Sequence, residues 1–215
     1  MSYSNGVKRL ADIVLAALLL PLCLPLAAVV MLSLAFTPSG KIFFAQTRIG
    51  RNGRPFTIYK FRTMRPEAPD NVATRELENP DALITPIGRI LRRSSLDELP
   101  QLWNILRGDM SFVGPRPVVP TETALLRERQ RLGADRCRPG LTGLAQVRGR
   151  ERLEYREKAA YDAAYADAVS LPLDLRILGE TLRCVLRQKD IEYRVSPAAR
   201  EKGVKKDPPH PAEGA

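Results

Sequence analysis

The chain has 215 residues, 44% of them hydrophobic, enough for one domain with a real core and too apolar for wholesale disorder. Its 34 basic against 24 acidic side chains leave a formal charge of +10, which calls for an anionic partner such as nucleic acid, phospholipid headgroups or a phosphorylated substrate. Cys23, Cys137 and Cys184 are too scattered for a disulfide framework or a thiolate metal site, and a slightly negative mean hydropathy excludes a polytopic membrane protein.

One segment departs from that average. Ile13 to Gly40 is a run of 28 uncharged, mostly aliphatic residues, preceded by Lys8, Arg9 and Asp12 and followed by Lys41. About 20 apolar residues suffice to cross a hydrocarbon core. The run is longer than the apolar region of a signal peptide, no clear cleavage site follows it, and it has no polar face to suit a core helix. Residues 41 to 66 contain seven basic side chains and no acid, so the positive-inside rule favours a cytoplasmic body. Lys8 and Arg9 favour the same side, a demand that a segment entering and returning on one face would meet. Pro21 and Pro25 can bend such a helix, and a kinked spanning helix meets the same proline pattern.

Residues 41–64 predict two strands around Arg51-Asn52-Gly53-Arg54, because Asn-Gly supplies the positive backbone angles of a tight hairpin. Residues 66–86, with Pro66, Pro69, Pro80 and Pro86, predict an irregular surface segment. Short helices are expected over 87–93 and from Pro100 to Leu106, then a compact loop through Gly108, Gly114, Pro115 and Pro117. A helix over 121–132, a loop over 139–149 and a helix over 151–169 follow. In residues 171–187, Leu171, Leu175, Leu178, Leu182, Val185 and Leu186 form a stripe opposite Arg176, Glu180, Arg183 and Arg187. Such a stripe ordinarily faces a core; the alternative is a helix lying on the bilayer. From Ser196 onward, prolines and scattered charges predict a disordered tail.

Elimination narrows the chemistry. The only histidine, His210, lies in that tail, which removes Ser-His-Asp triads, Cys-His pairs and histidine metal sites. No Walker loop, Rossmann fingerprint or nucleophile elbow is present. Carboxylates, arginines, lysines and a hard metal remain. Residues 89–117 concentrate them: Asp97 and Glu98 follow Arg89, Arg92 and Arg93, and Asp109 and Arg116 come after. Ser95-Leu96-Asp97-Glu98 also reads as an ordinary capping box. A carboxylate at a helix start near guanidinium groups can instead attack phosphorus or bind Mg²⁺, with arginines gripping phosphate.

These pieces resemble the bacterial sugar transferases, the small monotopic phosphoglycosyl transferases that begin glycan assembly on polyprenyl phosphate. The resemblance rests on Lys8-Arg9-x-x-Asp12, the apolar segment with Pro25, AQTRIG from Ala45 and YKFRTM from Tyr59. It continues in SLDELPQ from Ser95, LRGDMSFVGPRP from Leu106 and RPGLTGLAQVRG from Arg138, in order over residues 5–190.

The resemblance implies transfer of a sugar 1-phosphate from a UDP-sugar to undecaprenyl phosphate, with release of UMP. This would be a first membrane step of exopolysaccharide, lipopolysaccharide or other glycoconjugate assembly. It makes Asp97 the nucleophile of a covalent phosphosugar intermediate and Glu98 its helper, through Mg²⁺ held by the two carboxylates or through proton handling. It makes Arg92, Arg116, Lys60 and Arg62 phosphate-binding residues, and Arg138 and Gln146 walls of the nucleotide-sugar pocket. It further implies a segment that re-enters at Pro25, with Pro21 beside it, on the cytoplasmic face of the bacterial inner membrane. A homodimer and downstream glycosyltransferases are the expected protein partners. The expected fold is α+β, mainly α: a re-entrant membrane helix in residues 1–40, then a cytosolic catalytic domain over 41–195 with a small hairpin and surface amphipathic helices, and a tail over 196–215. The competing class is a membrane-anchored protein holding nucleic acid or anionic lipid. With 6% aromatic residues and no recognition helix or RNA motif, the chain gives no support for a nucleic-acid partner.

Overall fold

The computed structural model describes residues 3–37, 41–69, 77, 79–149 and 153–186. The expected tail over 196–215 lies outside the described residues. A π-helical turn, Tyr3–Val7, leads into α1, Lys8–Ala35, which runs unbroken with Pro21 and Pro25 inside it. Leu18, Leu22, Leu24, Leu26 and Val29 are exposed along α1, an apolar surface far larger than a water-soluble protein presents.

Both ends of this helix are built into the rest of the protein. Near its start, Ala16 is fully buried in a cluster with Ile58, Leu102, Ile105, Phe112 and Ile177. Near its end, Val30 and Leu34 are buried with Phe61 and Leu91. Val30 and Leu34 each gain about 1.5–3 kcal/mol on burial, the Ala16 methyl under about 1 kcal/mol. The Lys8-Arg9-x-x-Asp12 signature supplies the polar half of the attachment. Lys8 Nζ pairs with buried Asp174 at 2.6 Å, and Arg9 donates to the Leu106 carbonyl at 2.8 Å. Buried Asp12 accepts from Ser111 Oγ and from the Phe112 amide, each at 3.1 Å.

The expected hairpin is present. β1, Phe43–Ile49, pairs antiparallel with β2, Pro55–Phe61. Asn52 and Gly53 take φ of 55° and 73° at the turn, the left-handed angles that Asn and Gly tolerate best. A single turn, α2 (Pro80–Leu83), follows, and α3, Pro86–Ser94, is capped by Thr85, whose hydroxyl accepts from the Gly88 amide at 3.0 Å. α4, Gln101–Arg107, ends at Gly108, which has φ of 91°. α5 spans Thr123–Arg131, α6 Leu144–Arg148, α7 Tyr155–Asp167 and α8 Leu171–Leu186.

Two expected loops contain regular structure. β3, Ser111–Val113, and β4, Gly140–Thr142, form a parallel pair, and α6 occupies the end of the second loop. A Cβ on Gly140 would stand 2.1 Å from the Gly114 amide nitrogen, and one on Gly143 2.1 Å from the Gly114 carbonyl. Backbone therefore lies directly on backbone here. These glycines are packing requirements rather than marks of a loose loop.

The stripe on α8 faces the core only in part: Leu178 packs against the main cluster. Leu171, Leu175 and Leu182 are exposed, whereas Ile177 and Asp174 are buried. The buried face is set by polar contacts: Asp174 receives Tyr3 Oη at 2.8 Å, Tyr165 Oη at 2.7 Å and the Lys8 ammonium.

Candidate active site

The helical turn Leu96–Glu98 carries Asp97 and Glu98 between α3 and α4. Ser95 precedes it in a left-handed conformation, φ 58°, and makes no side-chain cap. The capping-box reading is therefore overturned: Ser95 terminates α3, its amide bonding back to the Arg92 carbonyl at 3.3 Å, instead of starting a helix. A non-glycine residue held at positive φ costs of order 1 kcal/mol, and here it turns the chain sharply just ahead of the two carboxylates.

Three cations converge on that pair. Lys60, on β2, places Nζ 2.6 Å from Glu98 Oε1, and Arg116 Nη1 lies 3.7 Å from the same oxygen. Arg92 comes from α3, where Gly88, one turn earlier, allows close docking: a Cβ there would sit 2.0 Å from the Thr63 carbonyl oxygen. Thr63 Oγ1 then accepts from Arg92 Nε at 2.8 Å, fixing the guanidinium beside the site.

Asp97 is 8% exposed, and burial pushes its carboxyl pKa up. Lys60, Arg92 and Arg116 oppose that rise, while the Glu98 charge adds to it. For Glu98 burial acts in the same upward direction, but Lys60 and Arg116, with hydrogen bonds from Lys60 and Gln101, hold its carboxyl low. The neighbours are thereby set apart. Glu98 is an ionised anchor for the cations, and Asp97 is the more basic, less encumbered carboxylate. Two carboxylates face three cations, a positive surplus suited to phosphate.

The other expected residues contact other groups. The Arg62 guanidinium stands over the Phe44 ring at 5.6 Å. Arg138 donates through Nε to the Gly108 carbonyl at 3.0 Å and lines a cavity of about 310 Å³ with Arg51, Arg54 and Phe56. Gln146 donates to the Leu141 carbonyl at 3.1 Å. Two residues at the carboxylate site receive no role from the sequence, although each lies in a matched string: Gln101, at the end of SLDELPQ, and Thr63, in YKFRTM.

Among the described residues no group of three or more His, Cys, Asp or Glu side chains gathers to cage a metal. The adjacent hard oxygen donors of Asp97 and Glu98 fit Mg²⁺ in the manner of sites that hold the ion through one or two carboxylates plus substrate phosphates.

The sequence profile of the family described as bacterial sugar transferase matches residues 3–188. The chain belongs to the bacterial sugar transferase family. This bacterial sugar transferase is 42% identical over 194 residues to the exopolysaccharide production protein ExoY of Rhizobium meliloti (strain 1021), covering 83% of this chain and 84% of that protein. It is 44% identical over 188 residues to the UDP-glucose:undecaprenyl-phosphate glucose-1-phosphate transferase of Caulobacter vibrioides (strain ATCC 19089 / CIP 103742 / CB 15), covering 83% and 69%. An Escherichia coli (strain K12) protein of the same name is 38% identical over 179 residues, covering 80% of this chain and 38% of that protein.

Proposed function

We propose that this bacterial sugar transferase moves a sugar 1-phosphate from a UDP-sugar to undecaprenyl phosphate through a covalent intermediate on Asp97. The observation that carries the reading is a buried, basic carboxylate beside Glu98 within a ring of Lys60, Arg92 and Arg116. In the first half-reaction an Asp97 oxygen attacks the sugar-bearing phosphorus, the phosphoanhydride bond breaks, and UMP leaves. In the second, an oxygen of undecaprenyl phosphate attacks the same phosphorus and frees Asp97, giving a polyprenyl diphosphate sugar. One anhydride is consumed and one formed, so no ATP is needed. Arg116 and Arg92 hold phosphate oxygens, and Lys60 keeps Glu98 ionised. Bound Mg²⁺, held by Asp97 and Glu98, would neutralise phosphate charge.

The same reading puts the protein on the cytoplasmic face of the bacterial inner membrane, with α1 re-entrant. Contact of both α1 ends with one body supports this, because that body cannot stand on two sides of a bilayer. The exposed Leu171, Leu175 and Leu182 beside Arg176 and Arg183 support a bilayer-surface position for α8. The test is intact-protein mass after mixing with UDP-glucose and no acceptor: the protein should gain one phosphohexose and release an equal amount of UMP. A protein that gains no mass and releases no UMP with any of a panel of UDP-sugars would overturn the proposal.

A further inference from the structure

Arg116 reaches the site from the Gly114-Pro115-Arg116-Pro117 loop as a long side chain that is 45% exposed, so its aim depends on how its own backbone is held. On either side the loop is pinned by backbone bonds: the Pro115 carbonyl accepts from Gly140 N at 2.9 Å, and the Val118 carbonyl from Ile49 N at 2.9 Å. The Arg116 carbonyl itself is held by a side chain, Arg129 Nη1 on α5, at 2.9 Å. Arg129 is buried, and its Nε and Nη2 grip Asp162 Oδ2 on α7 at 2.8 and 2.6 Å. Asp162 is 1% exposed.

A buried ion pair is a poor source of stability, since well-packed apolar residues of similar volume often serve as well or better. Its value here is geometric. A planar guanidinium fork can clamp a carboxylate with two nitrogens while the third points at a fixed carbonyl; an ammonium gathers its three donors on one nitrogen and does not reproduce that spread or fix its direction. The fork thus transmits the α5–α7 packing to the peptide that carries the phosphate-binding Arg116. A shift of about 1 Å in a phosphate grip is enough to cost on the order of 100-fold in rate.

We infer that Arg129 is a positioning residue for the transfer reaction, acting through the Arg116 peptide, with Asp162 as its anchor. This rests on the function proposed above. The test is a double-mutant cycle of Arg116→Lys and Arg129→Lys, read as kcat/KM for UMP release from UDP-glucose. Rates are normalised to the folded fraction by melting and to the amplitude of covalent labelling. Arg129→Lys alone should lower kcat/KM at least tenfold in the folded protein. In the Arg116→Lys background it should lower it no further than about twofold, because the residue it positions is already impaired. Asp162→Asn should show the same dependence on Arg116, giving a second route if Arg129→Lys folds poorly. A purely architectural role predicts losses that multiply, and that outcome, or full activity of Arg129→Lys, overturns the inference. If wild type releases no UMP, the functional reading fails on its own account. The cycle is then run on UDP-glucose binding, where coupling sustains the positioning role and additivity removes it.

Discussion

Lys60 Nζ lies 2.6 Å from Glu98 Oε1, joining β2 to the turn that bears the two carboxylates. The Lys60 charge also opposes the upward push that burial exerts on Asp97. Lys60→Met should therefore raise the Asp97 pKa further. Because the nucleophile must be ionised, activity is lost as pH falls through that pKa, and the acid limb of the pH–rate profile should move to higher pH in the variant. Well below that pKa, where only a small fraction of Asp97 is ionised, each unit of rise should cut UMP release roughly tenfold, while at neutral pH the loss should be smaller. An unmoved acid limb would show that Lys60 does not act on the titrating group.

Asp97→Asn keeps the shape of the side chain and removes the anionic oxygen. Covalent labelling should vanish and UMP release should fall on the order of 10³-fold or more, while membrane extraction and melting stay near wild type. Glu98→Gln should also lose most turnover but retain slow labelling. An Asp97→Asn protein that still gains a phosphosugar would assign the nucleophile elsewhere.

Chelation with EDTA should abolish turnover, and added Mg²⁺ should restore it. The site offers hard carboxylate oxygens with no histidine or thiolate to favour a softer ion. Full turnover in EDTA would leave Glu98 as an electrostatic partner of Lys60 and Arg116 only.

Asp12→Ala removes the acceptor for Ser111 Oγ and the Phe112 amide inside the body. Each hydrogen bond to a charged group contributes about 1.5–3 kcal/mol, so the variant should be destabilised by roughly 3 kcal/mol or more. Melting in detergent checks this. Unchanged stability would mean that the polar half of the α1 attachment is dispensable.

Single cysteines at Ser2 and Lys205, in a chain without its three native cysteines, should both be shielded from a membrane-impermeant reagent in intact spheroplasts and react after lysis. Labelling of position 2 from outside would require a spanning α1. Replacing Pro21 and Pro25 together should favour that spanning form, because each proline lacks a backbone donor and leaves a carbonyl unpaired that the substituted helix would satisfy in lipid.

Features written in neighbouring residues were legible before the fold was known. Asn52-Gly53 marked the hairpin, and the apolar run with its basic flank marked α1. Lys60, Arg92, Asp97, Glu98 and Arg116 do come together. Features that depend on distant chain were not legible. β3 and β4 are three residues each, too short for alternation to show, and their pairing joins Ser111 to Gly140. Serine before two acids suggests a cap, but only the path of α3 reveals that Ser95 closes one helix instead of opening another. Leucine spacing on α8 does not mark the buried face, which turns toward Asp174, Ile177 and Leu178, with Asp174 tied down by Lys8 and two tyrosines. The resemblance makes Arg138 and Gln146 walls of the nucleotide-sugar pocket; their hydrogen bonds run to the Gly108 and Leu141 carbonyls, and Arg138 lines a cavity with Arg51, Arg54 and Phe56.

The apolar helix is also an interior part of the catalytic body, and this bears on how the protein can be handled. Trimming the chain back to Lys41 to obtain a water-soluble fragment would uncover the pockets now filled by Ala16, Val30 and Leu34. It would also strip Asp174 of Lys8 and Tyr3 and leave the Phe112 amide without its acceptor. Such a fragment would lose the exposed leucines of α1 but lay bare the apolar clusters that α1 covers. Solubility in this enzyme has to come from a detergent or lipid sheath around α1, because the anchor cannot be cut away from the fold it holds together.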